Sequence, residues 1–480
     1  MSGLQAAILA GIVVYIAIVI GVGWWASRRI QTDRDYIVAG GRLGWMLSIG
    51  TLFATWFGAE TCMGSSQTAF SDGLLGVIAD PFGAGLCLIL SGLFFARYFR
   101  ERNYETIVDF FRDRYGRTAA WVLSLLYIPV YLGWIGAQLL AFGKILHALT
   151  GFPEREAIYV STVVVLTYTY LGGMWADTIL DFFQMVIIIV GLLIVFPVLI
   201  IDLGGFEAAV ARSPEGAFRI VPRDASILGW LWYLQAWMMV GVGSLPAQDL
   251  FSRTMAPRSP AVARWSSIIA GLMYVLIGML PVLIGIFGRA ALPGYEGQNI
   301  LIDVALKYLP LPVIVLLLGA LLGAIMSSAD SAILAPSSII GHNLVPLIRP
   351  SAGEGTKLAW CKYSVPVLGV LSLWMALEFQ DIYALCLEAW GILLAGVAAP
   401  MIAGVFWKGA TPRGALVGAL AGIAAFLALR MNPAENPQDG VPPNLAGFAV
   451  SAVVLVAVSL VGGGRVVKKP DAEGSPSPAP

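Results

Sequence analysis

Charged residues are scarce in this chain, and histidine and cysteine are scarcer still. Only 12% of the 480 residues are charged, with 29 basic and 29 acidic side chains, two histidines and four cysteines. A soluble domain averages about 25% charged residues, so the shortage argues against a soluble enzyme, a coiled coil or a disordered scaffold. The equal numbers of acids and bases remove the basic excess expected of a protein that binds nucleic acid.

Motifs for several kinds of chemistry are absent as well. The four cysteines show no CxxC spacing, so the sequence predicts neither a metal cluster nor a disulfide framework. The chain has no phosphate-binding loop ending in Gly-Lys-Ser or Gly-Lys-Thr, no HExxH pair and no nucleophile elbow. Its two histidines, His147 and His342, lie near the ends of apolar runs. We therefore expect no enzymatic activity and no direct use of ATP.

Apolar residues make up 58% of the chain, and its mean hydropathy is +0.82. A membrane-spanning helix needs ~20 predominantly apolar residues, and only helices or closed barrels satisfy their backbone groups in lipid. The sequence thus predicts an all-α polytopic membrane protein, with residues 1–463 as the transmembrane domain and 464–480 as a polar tail rich in proline and serine. Thirteen apolar runs are predicted as spans, at about 4–26, 43–66, 74–98, 118–148, 156–172, 176–201, 227–251, 262–288, 309–341, 357–378, 381–406, 412–430 and 443–463.

Basic residues predict the orientation of these spans, because arginine and lysine concentrate in cytoplasmic loops. Loops that follow the odd-numbered spans 1, 3, 7, 9, 11 and 13 hold 21 of them, and the opposite side holds 7. We expect a plasma (inner) membrane protein with its N-terminus outside and its C-terminus in the cytoplasm.

Two of the predicted spans contain glycine or proline at mid-span. The second span includes Ala54–Ser66, and the seventh includes Gly241–Asp249 with Pro246. Such residues weaken the helical ladder and release carbonyl groups, which then need other partners in hydrocarbon. A kink relieved by a neighbouring helix would explain either one alone. The two lie five spans apart, however, as expected of two five-helix halves of inverted topology whose broken helices form a transport site.

The ninth span carries an unusual density of polar groups. Its run Gly323–Ser338 includes Ser327, Ser328, Asp330 and Ser331. Serines alone often bond back to carbonyls one turn earlier, but a carboxylate beside them favours a cation site with oxygen ligands. Lys144 is the main basic residue expected inside a span. Other acids are predicted at membrane depth, where burial is costly without a partner: Glu60, Asp80, Asp177, Asp181, Asp249 and Glu388.

At these positions the sequence resembles the sodium:solute symporter family, and within it the high-affinity choline transporter branch. The stretches that carry the family resemblance are Tyr36–Arg42, Tyr168–Gly173, Thr178–Gln184 and Met326–Ser331. Those that resemble the choline branch are Ala54–Trp56, Gly92–Ala96 and Ser327–Ser331.

This resemblance implies a LeuT-type 5+5 inverted repeat with one extra helix in front and two behind. It also implies a Na⁺ site, at the carbonyls of Ala54, Phe57 and Ala324 and the hydroxyls of Ser327 and Ser328. A second cation site, for Na⁺ or a shared proton, would fall on Asp181, Asp330 and Ser331. The expected substrate-binding residues, at mid-membrane between the broken spans, are Trp56, Glu60, Thr61, Asp80, Trp134, Gln138, Ala247 and Gln248.

The resemblance also bears on the solute. Trp56 and Trp134 match two aromatic positions of a quaternary-ammonium cage, whereas the other two fall on Ala84 and Ala247. We expect a small polar organic solute, with an amine among the candidates, rather than choline. The predicted activity is Na⁺-coupled symport by alternating access, with the bilayer, Na⁺ and the solute as partners. Proton coupling, a solute sensor without transport and a membrane enzyme are the alternatives, and the oligomeric state is left open.

Overall fold

The structure is a computed structural model that describes residues 3–28, 30–222, 226–297, 299–379, 381–432 and 439–461, and within these ranges it is almost entirely helical. Among the described residues, nine helices are long and apolar enough to cross a membrane. The predicted all-α membrane class is therefore confirmed, and the count of thirteen spans stays a prediction. The predicted tail, 464–480, lies outside the described residues.

The helices vary in length from single turns to double-length rods. In chain order they are α1 (Gly3–Ser27), α2 (Asp33–Val38), α3 (Trp45–Ala54), α4 (Ser65–Asp72), α5 (Ala84–Leu90), α6 (Ala96–Glu101), α7 (Ile107–Thr150), α8 (Glu154–Asp202), α9 (Phe206–Arg212), α10 (Ile227–Gly241), α11 (Gln248–Met255), α12 (Pro260–Ala291), α13 (Ile300–Tyr308), α14 (Leu311–Ser338), α15 (Val345–Ile348), α16 (Glu354–Glu378), α17 (Ile382–Leu393), α18 (Ala399–Phe406), α19 (Pro412–Met431) and α20 (Pro443–Val461). Wider π-helical turns interrupt or extend them at Glu60–Gly64, Ile78–Gly83, Ser91–Phe95, Ile339–Leu344 and Leu394–Ala398.

Both predicted breaks are present. Regular helix α3 ends at Ala54, and turn and π-helical backbone follows until α4 begins at Ser65. Helix α10 ends at Gly241, and α11 begins at Gln248 after a turn. By contrast, α14 runs without interruption through the serine-rich segment, in which every residue from Leu317 to Ser338 except Gly319 is buried.

The first break and α14 are each packed against several helices. Helix α14 lies against α7, α8 and α16. Helix α12 lies against α3 and α4, which flank the first break, and against α5. The long rod α8 is divided at Gly173, whose φ of +50° is in the left-handed region and whose α-carbon faces the Tyr36 ring. A side chain there would lie 2.5 Å from that ring, so glycine allows both the backbone conformation and the close contact. Helices α19 and α20 pair with each other at one side of the bundle.

Candidate functional site

The two helix breaks meet through a hydrogen-bonded carboxylate. Trp56, in the first break, donates its indole N–H to Asp249 Oδ2 at 2.6 Å, at the start of α11. Tyr131 of α7 donates its hydroxyl to Asp249 Oδ1 at 2.6 Å. All three residues are buried. Asp249 therefore joins both broken helices to α7 and fixes the orientation of the Trp56 ring.

Next to this junction lies a small cavity of about 10 Å³ with two carboxylates in its wall. Glu60 accepts hydrogen bonds from Trp134 Nε1 at 3.0 Å and from Gln138 Nε2 at 2.7 Å. Asp80 Oδ2 accepts from the Thr61 hydroxyl at 2.8 Å. The predicted substrate residues Trp56, Glu60, Thr61, Asp80, Trp134 and Gln138 are thus brought together by the structure.

Aromatic side chains close the same cavity. Trp390 lies 6.1 Å from Trp56 and 5.0 Å from Trp134 between ring centroids. The Tyr274 hydroxyl donates to the carbonyl of Trp56 at 2.8 Å, and Tyr383 completes the lining on the side of α17. Sequence analysis did not single out Tyr274, Tyr383 or Trp390 as site residues. No local motif marks these positions, because each arrives from a helix distant in sequence.

Two of the predicted substrate residues lie elsewhere. The Gln248 amide oxygen accepts from the backbone N–H of Ile107 at 2.8 Å, and its nitrogen donates to Ser252, so this side chain caps α7. Ala247 is buried in the second break but is not part of the cavity wall.

Ser328 of α14 faces the first break without a protein partner. Its hydroxyl is buried and has no hydrogen-bond partner among the described residues. A Cβ placed on Gly58 would lie 2.2 Å from Ser328 Oγ, which shows how closely the broken backbone approaches α14. The amides of Gly58 and Ala59 bond to the Trp56 carbonyl and the Gln138 side chain instead of completing the α-helical ladder. The Ser328 hydroxyl, one of the predicted Na⁺ ligands, therefore lies directly against the backbone of the first break.

Ser327 makes a different contact, with the acid predicted for the second site. Its hydroxyl donates to Asp181 Oδ1, and the Thr51 hydroxyl donates to Asp181 Oδ2 at 2.5 Å. Ser331, one turn further along α14, bonds back to the Ser327 carbonyl at 2.8 Å. The alternative of serine back-bonding therefore holds for Ser331 but not for Ser327 or Ser328.

The buried base of this region is Arg253, which sequence analysis counted among the loop residues. Helix α11 continues to Met255 and is buried along its whole length, and the Arg253 side chain is only 2% exposed. Its guanidinium donates to Asp177 and Ser331 and lies 4.0 Å from Asp181 Oδ2. The expectation that Lys144 is the main basic residue inside the membrane is wrong, since the central base is Arg253. The sequence did carry one signal for a buried base, because Asp177 and Asp181 lie one helical turn apart and their carboxylates need a positive partner.

Asp330 stands beside this network with spare bonding capacity. It neighbours Asp177 and Thr169, yet neither carboxylate oxygen has a partner in hydrogen-bond geometry among the described residues, and both oxygens are buried. Three carboxylates therefore face one guanidinium. Charge balance in so buried a site therefore requires two further positive charges, supplied by cations or protons.

Glu388, also predicted at membrane depth, is not part of either site. Its side chain is 41% exposed, and its carboxylate pairs with Arg430 at 2.5 Å. Lys144 lines a wider vestibule of about 350 Å³, together with Asp72, Asp381 and Tyr383. Tyr383 belongs to the walls of both the vestibule and the small cavity. It therefore separates the inner cavity from this wider opening.

A second ionic cluster lies where α2, the start of α7 and the end of α14 meet. His342 Nδ1 lies 2.7 Å from Asp33 Oδ2 and its Nε2 lies 3.4 Å from Asp109 Oδ2. Burial raises the pKa of Glu105, the third acid beside His342. At Asp33 burial acts in the same direction, but the hydrogen bond and charge of His342 outweigh it and leave the pKa below its ordinary value. The cluster ties three helices together at this end.

Comparison with known proteins shows which protein family this chain matches. The sodium:solute symporter family profile matches residues 36–422. The chain is 28% identical to "High-affinity choline transporter 1" of Caenorhabditis elegans, over 88% of this chain and 77% of that one. It is 25% identical to the "Sodium/glucose cotransporter" of Vibrio parahaemolyticus, over 88% and 85%. The "Sodium/pantothenate symporter" of Haemophilus influenzae is 26% identical, over 88% and 90%.

Solved structures share the fold. A Na⁺-coupled sialic acid symporter in a substrate-bound outward-open state superposes with a TM-score of 0.81 at 18% identity, over 95% of this chain and 97% of that one. The transporter Mhp1, a nucleobase-cation-symport-1 family member in a closed conformation, gives 0.62 at 16% identity, over 92% and 97%. These similarities confirm that the predicted fold is of the LeuT type.

Proposed function

The chain belongs to the sodium:solute symporter family, and on that premise we propose where its coupling ion and its solute bind. The protein is a Na⁺-coupled symporter that imports a solute by alternating access. We place one Na⁺ between the first break and α14, at the carbonyls of Ala54, Phe57 and Ala324 and the hydroxyls of Ser327 and Ser328. The observation that carries this proposal is the unpartnered, buried Ser328 hydroxyl against the backbone of Gly58.

Na⁺ at this position links the broken helix to α14. Oxygen ligands suit a hard monovalent cation, and released carbonyls at a break are the partners such an ion needs. Binding would hold the cytoplasmic half of the bundle closed and complete the solute site on the outer side. Each Na⁺ that moves inward gains about 2.3 kcal/mol per 100 mV of membrane potential, apart from its own gradient. The ion thereby drives uptake.

The solute binds, in this proposal, in the cavity beside the two breaks. Glu60, Asp80, Trp56, Trp390 and Tyr274 line it, and Thr61, Trp134 and Gln138 hold the two carboxylates. Its two carboxylates and its tyrosine hydroxyls suit a polar organic solute. Gln248 and Ala247, which were predicted to bind solute, lie outside the cavity wall.

A second cation belongs to the Asp181, Asp330 and Ser331 region. Arg253 already provides one positive charge for the three carboxylates there. Each of the other two carboxylates, if ionised, therefore needs one further positive charge. The unpartnered Asp330 oxygens are the ligands open to Na⁺ or a proton. Coupling to H⁺ instead of Na⁺ would act through this carboxylate.

The predicted topology completes the proposal. Thirteen spans between residues 1 and 463 place the N-terminus outside the plasma (inner) membrane, and residues 464–480 form a cytoplasmic tail. The vestibule lined by Lys144 and Asp381 then opens to the outside, and the cluster of His342 with Asp33 faces the cytoplasm.

The test uses purified protein reconstituted into liposomes. Thermal unfolding is first measured in Na⁺ and in K⁺ at equal ionic strength, with and without a panel of small solutes. Accumulation of each stabilising solute is then followed under an inward Na⁺ gradient. We expect solute accumulation that collapses when the gradient is removed. Binding without accumulation would indicate a sensor, chemical alteration of the solute would indicate an enzyme, and accumulation driven by a pH gradient alone would indicate proton coupling.

A further inference from the structure

We infer that the solute is a small protonated amine with at least one N–H donor, recognised by Glu60 and Asp80. This inference rests on the proposed function, because it takes the cavity between the breaks as the solute site. The wall contains two buried carboxylates and, among its described residues, no lysine, arginine or histidine. A carboxylate pair in such a site needs positive charge from the bound molecule.

The hydrogen bonds around these carboxylates favour their acceptor role. Glu60 already receives an indole N–H from Trp134 and an amide N–H from Gln138, one on each oxygen. The Cys386 thiol also donates to Glu60 Oε2 at 4.0 Å, so Oε1 keeps the lone pair that can accept a donor from the cavity side. Donors fixed in this way stabilise the ionised carboxylate and hold it in one orientation.

Asp80 provides the observation that points to an N–H donor. Its Oδ2 accepts from Thr61 at 2.8 Å, whereas its Oδ1 is buried and has no partner among the described residues. The Tyr383 hydroxyl, which also lines the cavity, is buried and unpartnered in the described part of the chain. A buried acceptor without a donor is unfavourable, so a ligand that donates to Asp80 Oδ1 is preferred over one that cannot. A quaternary ammonium has no N–H and leaves this oxygen unsatisfied.

The rest of the wall suits an organic cation. Trp56 and Trp390 present aromatic surfaces, which attract cations in desolvated sites. The free space in this conformation is about 10 Å³, room for a single water, so the cavity must widen when the solute binds. Ala84 and Cys386 also line it. The site therefore combines aromatic contact with two directed acceptors.

Three isosteric probes separate charge from N–H donation. N,N-dimethylethanolamine is a cation with one N–H, choline is a cation with none, and 3,3-dimethylbutan-1-ol is neutral with the same branched shape. Each is measured for Na⁺-dependent thermal stabilisation of the full-length protein and for competition with labelled ethanolamine in proteoliposomes. We expect dimethylethanolamine to bind at least tenfold more tightly than choline and the neutral alcohol to have no effect, because sites built around hydrogen bonds reject analogues that lack them.

Variants assign the effect to the acids. Asp80→Asn and Glu60→Gln preserve side-chain size, and each should raise the half-maximal amine concentration at least tenfold while the Na⁺ concentration for half-maximal stabilisation stays within about twofold. Glu388→Gln, a carboxylate paired with Arg430 outside the cavity, is the matched control and should leave amine binding unchanged.

Failure of the inference and failure of the proposed function give different results. Choline binding as tightly as dimethylethanolamine, a neutral solute outperforming both, or no amine effect in protein that Na⁺ still stabilises would overturn the amine inference alone. If Na⁺ does not stabilise the wild-type protein at all, the proposed Na⁺ site is overturned, and the proposed function on which the amine inference rests fails with it. If Asp80→Asn does not fold, Tyr383→Phe, which removes only the unpartnered hydroxyl, still tests the cavity.

Discussion

Replacement of Arg253 by glutamine should destabilise the protein strongly, although the residue resembles a loop arginine in the sequence. Its guanidinium is 2% exposed, donates to Asp177 and lies 4.0 Å from Asp181 Oδ2. At an effective dielectric constant of about 20, two unit charges 4 Å apart interact by about 4 kcal/mol. Removal of one partner from a buried pair costs about 3–5 kcal/mol, because the remaining charge stays desolvated. We expect Arg253→Gln to lower the free energy of unfolding by a similar amount.

The assay is unfolding of the detergent-solubilised protein at low Na⁺, followed by loss of helical signal. Asp177→Asn in the same chain should recover most of the loss, since it removes the carboxylate that Arg253 neutralises. The matched control is Arg97→Gln, because Arg97 forms a solvent-screened, exposed pair with Glu101 whose loss should leave the free energy of unfolding unchanged. The buried ion pair does not stabilise the protein if Arg253→Gln unfolds like the wild type. The same conclusion follows if Asp177→Asn lowers the free energy of unfolding further instead of restoring it.

Three further predictions concern the Na⁺ site and the opposite end of the bundle. Ser328→Ala should raise the Na⁺ concentration for half-maximal uptake about tenfold, as expected when an interaction of about 1.4 kcal/mol is removed from the bound state. Gly58→Ala should abolish Na⁺-dependent stabilisation, because its Cβ would lie 2.2 Å from Ser328 Oγ, whereas Gly319→Ala, with no neighbour within 4 Å, should not. His342→Gln should increase maleimide labelling of the buried Cys361, since His342 joins the helices that cover it.

Controls for these variants come from equivalent groups elsewhere. Ser338→Ala removes a hydroxyl that only bonds back to the Leu334 carbonyl at 2.6 Å, and it should leave Na⁺ dependence unchanged. Arg430→Gln breaks an ion pair outside the His342 cluster and should not change labelling of Cys361. Equal Na⁺ dependence in Ser328→Ala and wild type would exclude Ser328 as a ligand.

The sequence was sufficient for the breaks and for the serine-rich helix because their signals are local. Glycine at 58 and 64 and proline at 246 weaken the helix wherever the chain folds, and hydroxyls beside a carboxylate are conspicuous in a hydrophobic span. Neighbouring residues of one segment determine these features. Their partners across the bundle are determined by the packing of distant helices.

That difference explains why Arg253 and Tyr274 were missed. Arg253 follows the second break by less than two turns, and periodicity cannot tell whether that short helix re-enters the bundle or leaves it. Tyr274 belongs to α12, whose sequence is that of an ordinary apolar span, and its hydroxyl reaches Trp56 only through the tertiary fold. Gln248 illustrates the opposite error, because a polar residue in a break was assigned to solute although it caps α7.

The proximity of the two proposed sites explains how ion and solute binding could be coupled. Trp56 and Glu60 line the cavity, while the backbone between them, at Gly58, faces α14 and the proposed Na⁺ position. A single segment of five residues in the first break therefore belongs to both sites. An ion that fixes this backbone also fixes the Trp56 ring and the Glu60 carboxylate, which lowers the ordering cost of solute binding. Because such coupling is reciprocal, the solute must raise Na⁺ affinity by the same factor that Na⁺ raises solute affinity.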